Sequence, residues 1–342
     1  MKKIFAPLSV LILVVGLGSQ ECRAWDYEGH RLVNQLALAS LPTNFPAFAL
    51  APAGLERVAF LAGEPDRWRN TPDLGHCNGP DHYIDLDELD PFGLDMHTLT
   101  PFRHDFTAQL ALGRAAHPDR FLPIDPEANF DHTRQLVGFL PWAIAENYDK
   151  LKSGFAYLKT FIEDGTPEEI ANAQQNILYI MGVMGHYVGD AAQPLHTTKY
   201  HHGWVGENPN QYKTDKGFHS WIDGGYFHKI GGVTLEELRP RIQSAQTIKT
   251  GKGGTVFPQA LAYIIDQHKL VEPLYKLDKE GKLSGEGEVG HEGKAFLTAQ
   301  LVAGGQELGN LWFTAWQQAA PDTFLKSSLA KRKLANSNHA KP

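Results

Sequence analysis

The sequence predicts an all-α (mostly α) protein, a single multi-helix domain with short extended segments. Three observations carry that expectation. Apolar residues recur at three- and four-residue intervals over long stretches, the period of helices buried along one face. Period-two alternation is scarce, and 81–86 is the best candidate for a brief extended segment. Helix start and stop residues flank several of the periodic stretches.

The elements follow in order. Residues 30–41 read as an amphipathic helix with Leu32, Val33, Leu36, Ala37 and Leu41 inward. Residues 90–131 contain prolines and read as a loop-like insertion within the domain. Residues 142–161 set Ile144, Tyr148, Leu151, Phe155, Leu158 and Phe161 at helical spacing. Residues 167–190 open with Pro-Glu-Glu, where proline gives up an N–H that no helix bond uses and the acids suit the positive end of the dipole. Gly182, Gly185 and Gly189 in that helix would let a second helix approach closely. Residues 297–317 form a long apolar helix ending before Pro321. Residues 325–342 are basic and polar and read as a loose tail.

Residues 1–24 read as a removable export signal. Lys2 and Lys3 precede an apolar run from Leu8 to Leu17, and a polar stretch closes at Cys22-Arg23-Ala24. The run is too short to span a bilayer. The expectation is therefore an exported chain, periplasmic or secreted, without a membrane anchor. Cleavage after Gly18 and after Ala24 both remain open at this point. Cleavage after Ala24 removes Lys2, Lys3, Arg23 and Glu21, a net +2, and takes the formal charge from −7 to −9. It leaves Cys77 as the one cysteine, which excludes an internal disulfide. The body, residues 25–324, is long enough to bury one core without covalent staples and shows no linker or repeat. Nothing in it indicates an obligate protein partner. The acidic balance argues against gripping duplex DNA through a basic stripe. Bound metal ions could supply positive charge at a phosphate instead.

The stretch from Gly185 to His196 concentrates the chemistry. His186 and Asp190 stand four apart and share one helical face. Pro194 breaks the helix and brings His196 round from the following turn. Two imidazoles and a carboxylate converging in so short a span are zinc-ligand chemistry. His219 and Asp223 repeat the four-residue spacing. A single such pair is more often a surface hydrogen bond, but two pairs with an intervening histidine are not so easily explained. Further candidate ligands are His30 in Trp25-Asp26-Tyr27-Glu28-Gly29-His30, Asp66 in Glu64-Pro65-Asp66-Arg67-Trp68-Arg69, and His82 in Asp81-His82-Tyr83-Ile84-Asp85.

In order and spacing these residues resemble the trinuclear zinc nucleases, the S-one/P-one nuclease family of the zinc-dependent phospholipase C superfamily. The resemblance runs from Trp25 to about Trp316 and includes the Ala303-to-Gly309 run. It implies three zinc ions. Asp66, His82, His186 and Asp190 would hold the first. His196, His219 and Asp223 would hold the second. His30, a bridging Asp190, and the amine nitrogen and carbonyl oxygen of Trp25 would hold the third. The Trp25 chelate requires a free amino terminus, which selects cleavage after Ala24. The resemblance further implies hydrolysis of single-stranded DNA or RNA, or of nucleotides, to 5′-phosphorylated products, together with 3′-nucleotidase activity. Arg69 takes the place of an arginine that neutralises phosphate charge. Asp85 takes that of a carboxylate orienting the attacking water.

Three features depart from the family pattern. Gly224 follows Asp223 where characterised members tend to carry a base-contacting asparagine. The span from His82 to His186 is longer than in compact members, which implies a rebuilt cleft rim. The disulfides of eukaryotic members are absent. His201 and His202 read as polar loop residues, and the remaining histidines as structural or surface groups. Two rival readings are a zinc-dependent phospholipase C and a non-catalytic periplasmic zinc-binding protein. The first is disfavoured by Asp223, where phospholipases typically place Glu. The second has no use for Arg69 and Asp85.

Overall fold

A computed structural model describes residues 25–339 of the chain, so the expected signal segment 1–24 lies outside the described residues. The all-α expectation is met: the one β feature among the described residues is a single antiparallel bridge between Ile84 and Gly138. The brief extended segment expected at 81–86 is confined to 83–85, the link between two 3₁₀ turns.

Nine of the helices among the described residues frame the fold. They are α1 (Tyr27–Ser40), α2 (Pro52–Leu61), α3 (Glu64–Arg69), α4 (Arg103–Ala116), α5 (Leu140–Asp164), α6 (Pro167–Ala192), α7 (Phe257–His268), α8 (Gly293–Gln318) and α9 (Thr323–His339). Helix α6 is the central member, packed against α1, α2, α5, α7 and α8. It starts at a capping box: Thr166 Oγ1 accepts from the Glu169 N–H at 3.3 Å, and Glu169 Oε2 accepts from the Thr166 N–H at 2.9 Å. Such a cap contributes about 1 kcal/mol. The last twelve residues of α6, Met181 to Ala192, are all buried.

The α6 glycines decide how close α1 can come. A Cβ on Gly185 would lie 1.6 Å from Asn34 Oδ1, so only glycine admits that amide. Asn34 Nδ2 then donates to Val58 O at 2.8 Å and Gly182 O at 3.1 Å, tying α1, α2 and α6 together. The buried apolar residues form one contiguous cluster from Trp25 to Ala319, with Trp142, Tyr148, Phe155, Leu308 and Trp312 deep inside.

Two sequence expectations need correction. The stretch 90–131 is not only loop: α4 lies within it and buries Phe106 and Leu110. Its Arg114 guanidinium stacks over Phe92 and Phe121, 5.4 and 4.2 Å from the ring centroids. Nor is the tail loose, since α9 docks back onto the body. Asp322 caps it by accepting from the Leu325 N–H at 2.7 Å, and Leu329 is buried. Arg332 holds Glu169 through two bonds of 2.7 and 2.9 Å. Cys77 is exposed and unpaired by disulfide. No helix among the described residues is long and apolar enough to cross a membrane.

Candidate metal centre

The C-terminal end of α6 carries His186 and Asp190, both fully buried. Glycine at 189 leaves room for His30 of α1, whose Nδ1 would lie 2.8 Å from a Cβ there. The His30 and His186 rings stack at 3.8 Å, and His30 Nε2 sits 3.4 Å from Asp190 Oδ1. On the other side of the carboxyl, His82 Nδ1 and His186 Nε2 lie 3.0 and 3.3 Å from Asp190 Oδ2. The segment around His82 is fastened by Asp85 N–H to Val137 O at 2.7 Å and Leu140 N–H to Tyr83 O at 3.1 Å. Gly138 makes that fit possible: its φ is +93°, and a Cβ would stand 2.0 Å from Tyr83 O.

Past Pro194, His196 turns back toward the same place. Its Nδ1–H donates to His82 O at 2.7 Å, which leaves Nε2 facing His219 Nε2 at 3.0 Å. His219 stands just before, and Asp223 within, a single π-helical turn, Trp221–Gly225, a local widening common at functional sites. His219 Nε2 lies 3.1 Å from Asp223 Oδ2, and Gln193 Nε2 donates to Asp223 Oδ1 at 2.7 Å.

Three groups of side chains could therefore hold metal ions: His82, His186 and Asp190; His196, His219 and Asp223; and His30, Asp66 and His186. Asp66 approaches His186 at 3.9 Å, so the structure groups it with His30 as well as beside the ligands of the first expected ion. Two of the sets share His186 because its ring lies between His30 and His82.

The donor set suits divalent cations on physical grounds. Four imidazoles, those of His82, His186, His196 and His219, are held well below their ordinary pKa, chiefly by burial. They are neutral, the form that binds metal. Burial also raises Asp190 and Asp223 well above the carboxylate range, with neighbouring carboxyls adding to the effect. Asp190 Oδ1 and Asp223 Oδ2 are buried and accept no hydrogen bond. Buried polar atoms rarely go unsatisfied without a reason, and a cation supplies one. Ligand atoms on a tetrahedral zinc at its usual bond lengths stand about 3.3 Å apart. The 3.0–3.4 Å separations around Asp190 and Asp223 are of that size. Outer hydrogen bonds such as His186 Nδ1–H to Ala62 O at 2.6 Å fix the rings' orientation.

Trp25 is buried beside the centre. Its indole Nε1–H donates to Gly189 O at 2.9 Å, and the following Asp26 N–H donates to Asp223 O at 3.1 Å. Asp26 then caps α1 through Gly29 N–H at 2.8 Å.

A cleft of about 530 Å³ opens on the cluster, lined by His82, His196 and His219. Arg69 and Asp85 line it too. Arg69 Nη2 contacts Asp66 Oδ1 at 2.9 Å, and its charge reaches six of the expected ligands, acting on His82, His186, His196, His219, Asp190 and Asp223. Asp85 Oδ1 is buried without a hydrogen bond, and burial, then Asp87 and Glu88, raise its pKa well above the usual value.

All eleven residues singled out in the sequence thus fall in or beside this centre, and several others join them. His201 and His202, expected to be plain loop residues, line the cleft, with the His202 ring 5.4 Å from that of His219. His202 is pushed down to about 4, chiefly by burial and next by His201. Arg134 and Tyr83 complete the wall. The histidine doublet beside His196 was a usable signal, and so was Gln193 inside the motif. Arg134 gave none. No known protein-family model matches this chain, and no curated protein does either.

Proposed function

We propose that the chain is an exported trinuclear zinc nuclease that cleaves single-stranded DNA or RNA to 5′-phosphorylated products and acts on 3′-nucleotides. One observation carries the reading: buried, proton-poor imidazoles and hydrogen-bond-deficient carboxyls converge at the floor of a cleft that also holds an arginine and a buried carboxyl. Asp66, His82, His186 and Asp190 would hold one zinc, and His196, His219 and Asp223 a second. His30, Asp190 and the Trp25 amine and carbonyl would hold the third. Bound zinc supplies Lewis acidity, polarising phosphoryl oxygen and making water acidic enough to ionise near neutral pH.

The chain's own residues do the rest. Arg69, steadied by Asp66 and facing the cleft, would offset negative charge on the non-bridging phosphate oxygens. Asp85, whose carboxyl is held by burial well above the usual carboxylate range and is so a stronger base when ionised, would orient the attacking water and, in that ionised form, take a proton from it. Tyr83, Leu136 and Leu195 offer apolar flanks for a sugar or base. Asp190 lies 3.0–3.4 Å from the imidazoles of His30, His82 and His186, so one carboxyl ties two of the metal positions together.

The test offers the processed, zinc-loaded chain single-stranded DNA, RNA, a 3′-mononucleotide and phosphatidylcholine in parallel. Cleavage of the nucleic acids is expected. Turnover of the lipid alone would make the chain a phospholipase C. Full zinc occupancy without turnover would make it a zinc-binding protein.

A further inference from the structure

A second groove of about 540 Å³ adjoins the metal cleft, and two elements belong to both. Arg134 lines each of them. The turn Lys199–His202 puts Lys199 on the groove and His201 and His202 on the cleft. The far wall of the groove comes from the long insertion, through Arg114, Arg120, Phe121 and Leu122. Four cations face two carboxylates, Glu88 and Asp125, in a chain whose overall formal charge is −7. Glu88 engages Lys199 at 2.8 Å, while Arg120 is exposed and makes no ion pair among the described residues. Arg114 lies 4.2 Å over the Phe121 ring, making a flat cation–aromatic surface, and Leu122 beside it is 88% exposed.

A positively charged groove with a flat cation–aromatic pair in its wall is what a single nucleic-acid strand uses: phosphates follow the cations and a base stacks on the planar pair. We infer that this groove is a track for the strand flanking the cleaved linkage, so that the preferred substrate is an oligo- or polynucleotide rather than a mononucleotide. The inference rests on the nuclease reading of the metal cleft and deepens it. It also gives the insertion a purpose, because α4 and the segment that follows it build the groove's far wall.

The measurement is kcat/KM of the zinc-loaded chain on oligothymidylates of increasing length, starting from the dinucleotide, at several salt concentrations. For the native chain we expect kcat/KM to rise at least about tenfold with length before levelling off, with a salt dependence that steepens as further phosphates are engaged. Arg120→Glu should remove most of that gain and flatten the log–log salt slope by about 0.7 or more. Arg57→Glu, on the exposed side of α2, makes the same change in net charge and should retain the gain. An Arg120→Glu variant with native length and salt dependence would overturn the track. So would an equal loss in Arg57→Glu, or a native chain that turns over the dinucleotide with no gain from length. Failure to cleave any phosphodiester, the dinucleotide included, would instead overturn the nuclease reading beneath it.

Discussion

Asp190 is approached by four imidazoles, those of His82 and His186 at 3.0 and 3.3 Å and those of His30 and His196 at 3.4 and 3.9 Å. Removing its charge while keeping its shape isolates what it contributes. Asp190→Asn should keep the fold and lower bound zinc from about three ions per chain to about one, the one held by His196, His219 and Asp223. Elemental analysis of the purified variant checks this, and unchanged zinc content would contradict the shared role. A second residue-scale expectation concerns Glu307 on α8, which burial pushes up to about 7 from 4.5. The folded state therefore binds this proton more tightly than the unfolded state. The resulting penalty is absent below about pH 4.5, grows between there and 7, and is fully present above, where it amounts to about 3 kcal/mol. Glu307→Gln should be stabilised at pH 8 and lose that advantage by pH 4.5, as read by urea unfolding at both values. The ligands were legible in the sequence because metal chemistry admits few residue types and a helix fixes the spacing of His186 and Asp190. Arg134 was not, because loop geometry and not spacing brings it to the cleft, and the His201–His202 doublet gave a signal without saying that it reaches the cleft.

At the scale of elements, the contact between α1 and α6 brings His30 to Asp190. Gly185→Ala places a methyl 1.6 Å from the amide oxygen of Asn34, a side chain pinned by the bonds its Nδ2 donates to Val58 O and Gly182 O. The helices must separate, at a cost of about 2 kcal/mol or more. We expect a lower melting temperature together with loss of one zinc. A fall in stability with zinc content intact would show that the α1–α6 spacing does not govern the centre. The four long helices could be read from periodicity because each buries a continuous stripe. Helices α4 and α9 could not: α4 buries only Phe106 and Leu110, and α9 is attached mainly through Leu329 and the ion pairs of Lys326, Arg332 and Lys333. A stripe that narrow is hard to separate from a polar loop by hydrophobic pattern alone. The π turn at Trp221–Gly225 was hidden for a different reason, since it preserves the His219–Asp223 pairing while altering the backbone beneath it.

At the scale of the molecule, the centre joins segments that are far apart in sequence, from Trp25 to Asp223, so metal binding and stability are linked. Burial holds the carboxyls of Asp190 and Asp223 well above the usual carboxylate range, and a divalent ion binds them only when they are ionised. Calorimetric zinc titration of the chelated chain at pH 7 should therefore release protons, giving a binding enthalpy that varies with the ionisation enthalpy of the buffer. Chelation should also lower the melting temperature. A buffer-independent enthalpy would mean that the carboxyls are already ionised and the electrostatic description of the centre is wrong. The most direct measurement concerns the bond that is broken. Zinc-loaded chain and a single-stranded oligonucleotide are incubated together, and the product ends are identified by mass. We expect fragments with a 5′-phosphate and a 3′-hydroxyl, formed by the native chain and lost in Asp190→Asn. An oligonucleotide left intact by fully zinc-loaded chain, or fragments ending in a 3′-phosphate, would contradict the assignment.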